Sequence, residues 1–194
     1  MWDDIAAAAR QESRVWGDAL LPEAERDCVA VFSPLAPDRY ALGLETIYEG
    51  YLVHYGRPRL FAPPDDDTAL LLGDYLYAHG VARISALQDV AAVADLSELI
   101  SLCSQVRAEE TEEAASAAGR AGGARPKTPS AFGARRDGPL WAATAAVLGR
   151  GALDEARTAL RLHADPEPLE QAARLAAGDD AVDTALTAHA ARRG

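Results

Sequence analysis

The stretch Ala69–Glu109, ALLLGDYLYAHGVARISALQDVAAVADLSELISLCSQVRAE, decides the fold of this chain. Two amphipathic runs meet within it at Asp89, and each has residues three and four positions apart on one side of a helix. The stripe of the first run consists of Leu72, Leu76, His79 and Arg83. The stripe of the second run consists of Val93, Leu96, Ile100, Cys103 and Val106. The pattern predicts two helices joined by a short turn, an αα-hairpin.

Acidic residues mark the starts of both helices of this hairpin. Asp65, Asp66 and Asp67 follow a pair of prolines, and they are expected to cap the first helix and complement its dipole. Asp89 is placed to do the same for the second helix. Gly73 lies inside the first helix, where glycine costs roughly 1 kcal/mol against alanine. Its presence there predicts close packing against another helix.

The composition favours helices almost throughout the chain. Hydrophobic residues make up 49% of the 194 residues, and much of this fraction is alanine, whereas aromatic residues make up only 6%. We therefore predict an all-α fold, a helical bundle. The formal net charge of −11 argues against a nucleic acid or an anionic membrane as a partner held by general electrostatics.

Neither a membrane segment nor a redox site is indicated by the sequence. No apolar run approaches the roughly 18 residues of a membrane span, and the first four residues lack the basic start of a signal peptide. We therefore expect a cytoplasmic protein. Cys28 and Cys103 lack the CxxC spacing of a metal or redox motif, and Cys103 falls on an apolar helix face, which predicts a small buried thiol.

Three further helices are predicted ahead of the hairpin. Residues 2–20 pattern as one helix, and a short helix would run from Pro22 to Phe32. After Asp38 the apolar residues follow the most regular helical spacing in the chain. They are Leu44, Ile47, Tyr48, Tyr51, Leu52 and Tyr55. This pattern predicts a helix buried along one face. Its three tyrosines either line a ligand site or, as we favour, belong to the core with their polar tips bonded.

The character of the sequence changes after Arg107. We predict an N-terminal bundle over residues 1–109, a flexible linker over 110–137 and short C-terminal helices that pack on the bundle over 138–194. The linker has cations that either stay solvated, as we favour, or grip a diphosphate or an acidic partner, namely Arg120, Arg125, Lys127, Arg135 and Arg136. Three glycines are expected to cap the C-terminal helices, Gly149, Gly151 and Gly178.

Most catalytic and metal-binding motifs are missing from the sequence. GxSxG, Walker and GxGxxG motifs do not occur, and the four histidines lie singly, at His54, His79, His163 and His189. A DDxxD spacing occurs at Asp179, Asp180 and Asp183, and paired carboxylates of this kind can hold Mg²⁺ against a diphosphate. Because the three residues follow Gly178 at a predicted helix start, we favour helix capping as their role over metal binding.

Several short motifs occur in a fixed order between residues 40 and 107. They are LETIY at 44–48, YLVHY at 51–55, GRP at 56–58 and LLLGDYL at 70–76. In this order they resemble the front half of the trans-type (all-E) polyprenyl diphosphate synthases. In that family an LE-x-I-H helix ends in LIHDDxxxD, and an RRGRPT loop and a helix beginning with LAGD follow. The resemblance implies a truncated helical bundle of the isoprenoid-synthase type.

The chain departs from that family at the first aspartate-rich motif. His54 is followed by Tyr55 and Gly56, where catalytic members carry the aspartates that bind Mg²⁺ and the allylic diphosphate. The hairpin is also similar to component I of the two-component heptaprenyl diphosphate synthases, a short subunit that has no aspartate motifs and pairs with a catalytic subunit. The resemblance implies that this chain binds no cofactor of its own. Mg²⁺ would then be bound by a full-length partner that makes the isoprenoid chain of a respiratory quinone such as menaquinone.

The sequence leaves three hypotheses for function. The first is a non-catalytic small subunit of a heteromeric trans-polyprenyl diphosphate synthase, since synthases of this family pair through helices of this half of the fold. Its partner interface would include Tyr48, Tyr51, Tyr55, Leu72, Leu76, His79 and Arg83, and a homodimer is the alternative assembly. The second is a helical adaptor that keeps only the fold and binds an unrelated protein or an apolar ligand. The third is an active small prenyltransferase that uses the carboxylates of the DDxxD spacing.

Overall fold

The computed structural model describes residues 1–121 and 134–192. Over these residues the protein is built from α-helices and three short 3₁₀ turns, which confirms the predicted all-α fold. The helices are α1 (Trp2–Glu12), α2 (Arg14–Asp18), α3 (Ala41–Tyr55), α4 (Asp66–Ser85), α5 (Val90–Ala121), α6 (Ala134–Ala146), α7 (Asp154–His163), α8 (Glu167–Ala177) and α9 (Asp179–Ala190).

Helix α3 lies at the centre of the bundle. Every residue from Gly43 to Val53 is buried, so this helix is covered on all sides. The apolar periodicity had predicted burial along one face only. The additional cover comes from α4, from the chain around residue 59 and from the distant helices α6 and α9. Apolar periodicity missed this cover because polar residues of α3, such as Glu45 and Glu49, are also buried.

Helices α3 and α4 run antiparallel with glycines facing each other at two levels. A Cβ atom placed on Gly43 would lie 3.2 Å from the carbonyl oxygen of Gly80, and one on Gly50 would lie 2.9 Å from that of Gly73. The two glycines of each helix are seven residues apart, about two turns, and therefore lie on one face. This confirms the prediction that Gly73 packs closely against another helix.

The hairpin of α4 and α5 is capped as predicted. Asp65 Oδ1 accepts a hydrogen bond from the amide of Thr68 at 2.7 Å, and Asp89 Oδ1 accepts one from the amide of Ala92 at 3.0 Å. The backbone hydrogen bond from Thr68 lowers the pKa of Asp65. A hydrogen bond from the Tyr40 hydroxyl, together with the amide of Ala92, lowers the pKa of Asp89. Each cap therefore satisfies an amide at a helix start with a charged acceptor.

The predicted single helix over residues 2–20 is instead two helices, α1 and α2. Ser13 separates them, because its backbone is extended at φ −152° and its hydroxyl accepts a hydrogen bond from the amide of Val15 at 3.2 Å. A serine that bonds to a nearby backbone amide starts a new helix more readily than it continues an old one.

The predicted helix from Pro22 to Phe32 is wrong. Only Glu23–Glu25 form a helical turn, of the 3₁₀ type, and the rest of the segment is not helical. Its end is fixed by Glu45 of α3, whose Oε1 accepts hydrogen bonds from the amides of Val31 and Ser33 at 3.1 and 3.0 Å. A buried carboxylate far away in sequence thus provides the bonds that a helix would have made internally.

Helices extend into the predicted linker over 110–137 from both sides. Helix α5 continues to Ala121 and α6 begins at Ala134, whereas residues 122–133 lie outside the described part of the chain. At the second boundary the reason is Asp137, whose carboxylate is fully buried and accepts a hydrogen bond from the Tyr51 hydroxyl. The predicted linker ended at Asp137, but the carboxylate of this residue is an internal hydrogen-bond acceptor.

The described residues pack into a larger and a smaller core. The larger core joins α3, α5 and the C-terminal helices and includes Cys103, a buried thiol as predicted. The smaller core joins α1 and the segment around Phe61 to α4. Gly149, Gly151 and Gly178 have φ between 62° and 86° at turns near the ends of the C-terminal helices, as expected for capping glycines. Within the described residues, no helix is both long and apolar enough to cross a bilayer.

Candidate functional site

The tyrosines of the predicted interface point into the protein. Tyr48 and Tyr51 are fully buried, and Tyr55 is half-buried against the guanidinium of Arg107. Tyr48 and Tyr51 pack against the rings of Trp141 and His189, which belong to α6 and α9. The core interpretation of Tyr48 and Tyr51 is therefore confirmed. They cannot also form a partner interface, because the chain's own C-terminal helices cover them.

Four side chains in this core form a line of polar contacts. The Tyr51 hydroxyl donates to Asp137 Oδ2, Asp137 Oδ1 lies 3.5 Å from His189 Nε2, and His189 Nδ1 lies 2.9 Å from the Tyr48 hydroxyl. Burial raises the pKa of Tyr48. A tyrosine, a histidine and an aspartate in contact can relay a proton, but all four side chains are at most 1% exposed. The arrangement joins α3, α6 and α9, and among the described residues its four side chains are closed off from solvent.

A second buried polar centre surrounds Arg59. Its Nε donates to Glu49 Oε2 at 2.9 Å and its Nη1 donates to Glu45 Oε2 at 2.6 Å. Burial opposes the charge of Arg59, but the two carboxylates raise the pKa of its guanidinium overall. Glu49 also accepts hydrogen bonds from the amides of Arg59 and Leu60, both at 2.8 Å. Arg59 offsets one of the two negative charges, and backbone amides donate hydrogen bonds to both carboxylates, so this buried centre holds the loop against α3.

The apolar stripe of α4 that was assigned to a partner is also covered. Leu72 and Leu76 are fully buried and pack in the smaller core with Ile5 of α1, and His79 and Arg83 are half-buried. The predicted interface is therefore divided between two faces, since the tyrosines face α6 and α9 whereas the α4 stripe faces α1. Periodicity correctly identified which side of α4 packs, but the cover comes from the same chain.

The carboxylates of the DDxxD spacing are engaged by an arginine. Arg174 Nη2 donates to Asp183 Oδ1 at 2.7 Å, and its Nη1 lies 3.4 Å from Asp179 Oδ1. Asp179 is the first residue of α9, as expected for an acid near a helix start. Asp180 is exposed beside it. The described residues contain no group of three or more side chains that is arranged to hold a metal ion.

An exposed face on the hairpin has the properties of a docking surface. We call it the hairpin face and define it as the exposed residues between Leu70 and Ala108. Seventeen residues of this range are exposed, and Asp74 is the only charged one among them. Since 25% of the chain is charged, about four charged residues would be expected among seventeen. Surface without charge in a protein of net charge −11 is typical of an interface.

The middle of the hairpin face is a shallow groove between α4 and α5. Its volume is about 600 Å³, and it is lined mainly by small or apolar side chains: Asp74, Tyr77, Ala78, Val81, Ala82, Ser85, Val93 and Ile100. Larger apolar side chains are exposed at both ends, since Leu70 and Leu71 are 56% and 59% exposed and Val90 is 81% exposed. Small residues in a groove with leucines at its ends fit an incoming helix, because they let the two backbones approach closely.

The charged residue of this face has a histidine beside it. His54 Nε2 lies 3.2 Å from Asp74 Oδ1, and the Asp74 side chain is 65% exposed. Burial lowers the pKa of His54, and the nearby carboxylate of Asp74 opposes that shift. Asp74 is therefore open to a cation of a partner at the edge of the groove.

The sequence contained a signal for the hairpin face that the search for apolar periodicity missed. Five exposed residues of α5 recur at alternating spacings of three and four, and these five are small and uncharged: Ala94, Ser97, Ser101, Ser104 and Ala108. A hydrophobicity scale gives serine and alanine little weight, whereas the absence of charge at these positions is visible in the sequence itself.

A comparison of the chain with protein-family models, with curated proteins and with solved structures finds no match in any of the three. The function is therefore inferred from the residues of this chain.

Proposed function

We propose that the protein is a non-catalytic subunit that docks on a full-length trans-polyprenyl diphosphate synthase through the hairpin face. The observation that carries this proposal is the groove between α4 and α5 on a face with a single charge. It replaces the interface expected from the sequence, because that set of residues is largely covered by other parts of the chain. The partner, and not this chain, would hold Mg²⁺ and make the long isoprenoid chain of a quinone.

The resemblance in sequence supports the choice of partner. The LLLGDYL motif at 70–76 lies in the first half of α4, which forms one wall of the groove, so the part of the chain with the resemblance also carries the candidate interface. A contact of this kind would bury at least about 1,000 Å² in total, with its apolar anchors near the centre and the ends of the groove. A cationic side chain of the synthase would pair with Asp74.

Two further observations support a role without catalysis by this chain. The interior beside α3 is filled by the rings of Tyr48, Tyr51 and Trp141, which occupy space that an apolar substrate would need. Arg174 pairs with both Asp179 and Asp183, which would otherwise be the candidates for a diphosphate-bound cation. An active prenyltransferase in this chain alone is therefore the weaker hypothesis.

The test is co-expression with a full-length trans-type synthase from the same genome, followed by size-exclusion chromatography and a prenyl-transfer assay. We expect the two chains to elute together and the product length or rate of the synthase to change. Ala82→Glu places a carboxylate in the groove and should weaken the complex at least tenfold, since it adds a buried, unpaired charge. Ala176→Glu is the matched control, because Ala176 is an exposed alanine on α8, outside the groove.

Separate elution of the two chains, with the same rate and product length in the presence and absence of this protein, would contradict the proposal. The helical-adaptor hypothesis would then replace it. Equal effects of Ala82→Glu and Ala176→Glu on an observed complex would show that the contact lies elsewhere than the hairpin face.

A further inference from the structure

The first two helices form an arm that lies across α4. We define the arm as residues 2–18, which comprise α1 and α2. Ile5, Ala6 and Ala9 are the buried residues of α1, and Ile5 and Ala9 pack in the smaller core with Leu72 and Leu76 of α4. The Trp16 ring also stacks on that of Tyr75, with centroids 6.0 Å apart. The contact between arm and α4 is thus made by apolar and ring surfaces.

Polar bonds do not fix the arm to α4. Among the described residues, no hydrogen bond or ion pair joins residues 2–18 to α4. The nearest attachment lies just beyond the arm, where the amide of Leu21 donates to the carbonyl of Leu60 at 2.9 Å and the amide of Ala62 donates to that of Ala19 at 2.8 Å. These two bonds provide a fixed attachment point. The arm ahead of them is held by apolar contact with α4 and by the Trp2 ring, which lies over the guanidinium of Arg59 at 4.7 Å.

The surface of α4 beneath the arm carries polar side chains at regular intervals. Tyr75, His79 and Arg83 succeed one another at four-residue intervals and therefore form one stripe along the helix. We call it the polar stripe. The Tyr75 hydroxyl, His79 Nε2 and Arg83 Nε are all buried, and none has a hydrogen-bond partner. Buried polar atoms are almost always bonded in native proteins, so three such atoms along one stripe mark a surface with hydrogen-bonding capacity that α1 leaves unused.

The charges near the polar stripe indicate what it would bind. Burial lowers the pKa of His79, Arg83 lowers it further, and Glu12 of the arm opposes both effects. The hydrogen bond and charge of the N-terminal ammonium lower the pKa of Asp4, and the charge of Arg83 adds a smaller effect in the same direction. The arm thus places carboxylates near the cation of the stripe without bonding to it. A guanidinium, an imidazole and a phenol in a row provide donors for a carboxylate-bearing helix.

We propose that the arm is detachable and that an acidic helix of the partner synthase replaces it on the polar stripe. The stripe lies on the same helix as the hairpin face, so a released arm would enlarge the docking surface from one side of α4 to two. The identity of the partner rests on the proposed function. The release of the arm and the acid-binding character of the stripe belong to this chain alone and are tested without a partner.

The test uses the full chain and, as a probe, a fluorescently labelled peptide of residues 1–18. Ile5→Asp removes the main apolar contact of the arm and should free the stripe, so the peptide should bind this variant at least tenfold more tightly than the wild type. Ala7→Asp is the matched control, because Ala7 is exposed on the same helix. In the Ile5→Asp background, Arg83→Glu should reduce peptide binding at least tenfold. Equal peptide affinity of the wild type and Ile5→Asp would overturn the proposal.

Hydrogen exchange on the wild-type chain gives a second test that does not depend on a folded variant. The amides of α1 should exchange at least tenfold faster than those of α3 and of the α4 segment around Leu76, because release of the arm leaves the larger core intact. Exchange of α1 only at the rate of global unfolding would overturn the detachable arm. If the peptide and exchange results hold but the synthase does not bind, the proposed function fails while the arm stands.

Discussion

Gly50 of α3 lies directly opposite Gly73 of α4, and a Cβ atom on Gly50 would lie 2.9 Å from the Gly73 carbonyl oxygen. The neighbour is a backbone atom and cannot rotate away. We therefore expect Gly50→Ala to destabilise the protein by about 1–3 kcal/mol through overpacking, although alanine by itself favours a helix by about 1 kcal/mol. The measurement is urea unfolding followed by circular dichroism.

The control for that substitution is Gly17→Ala on α2. Its nearest neighbour would be Cγ of Arg10 at 3.4 Å, an atom of a flexible side chain. Gly17→Ala should therefore be neutral or stabilise by up to about 1 kcal/mol. Equal destabilisation by Gly50→Ala and Gly17→Ala would show that the opposed glycines do not set the distance between α3 and α4.

The buried Arg59 centre should be among the most sensitive positions in the chain. Glu49→Gln leaves Arg59 with a single counter-charge and removes a charged acceptor from the amides of Arg59 and Leu60. We expect a loss of about 3–5 kcal/mol in the free energy of unfolding, as for other buried pairs that lose one partner. Glu170→Gln, which disturbs the partly exposed pair with Arg174, should cost less than about 1 kcal/mol. Similar values for both variants would contradict this account.

Stability should fall as the pH falls below the ordinary histidine pKa of 6.5. Burial lowers the pKa values of His54 and His79 in the folded state, so the unfolded chain takes up protons first. Their contribution is present above pH 6.5 and is lost as the pH falls toward the lowered folded values. Urea unfolding between pH 7.5 and 5 should show a smaller slope for His54→Gln and for His79→Gln than for wild type.

The cap at Asp89 should stabilise the hairpin. Asp89→Ala removes the acceptor for the amide of Ala92 and for the Tyr40 hydroxyl, so we expect a cost of about 1–2 kcal/mol. Asp67→Ala, in the first turn of α4, removes a favourable charge but no cap and should cost less than half as much. Thermal unfolding at pH 7 measures both. If the Asp89→Ala variant were as stable as the wild type, the Asp89 cap would not contribute to the stability of the hairpin.

Local sequence signals predicted local structure well. The αα-hairpin, the caps at Asp65 and Asp89 and the close packing of Gly73 each depend on residues a few positions apart or on one residue type, and the structure confirms all of them. The predicted helix from Pro22 to Phe32 was wrong for the opposite reason. The hydrogen bonds that fix the end of this segment come from Glu45 of α3, outside the segment.

The candidate site shows the same limit. The periodicity of α4 identified Leu72 and Leu76 as packing residues, but it carries no information on whether the cover is a partner or the chain's own α1. The hairpin face escaped notice because alanine and serine give a weak hydrophobic signal. Solvent exposure of the residues along α4 and α5 is known only from the three-dimensional structure. It shows that the small, uncharged residues of these two helices form part of the protein surface.

The contact between Tyr48 and His189 joins residues that are 141 positions apart in the chain. During synthesis at about 5–20 residues per second, α3 therefore waits roughly 7–28 s for the helix that completes its surroundings. Until α9 has been made, Tyr48 and Tyr51 lack the cover that His189 provides. A nascent chain that stops at Gly178 should thus remain protease-sensitive, which makes the last helix the step that commits the newly made protein to its native state.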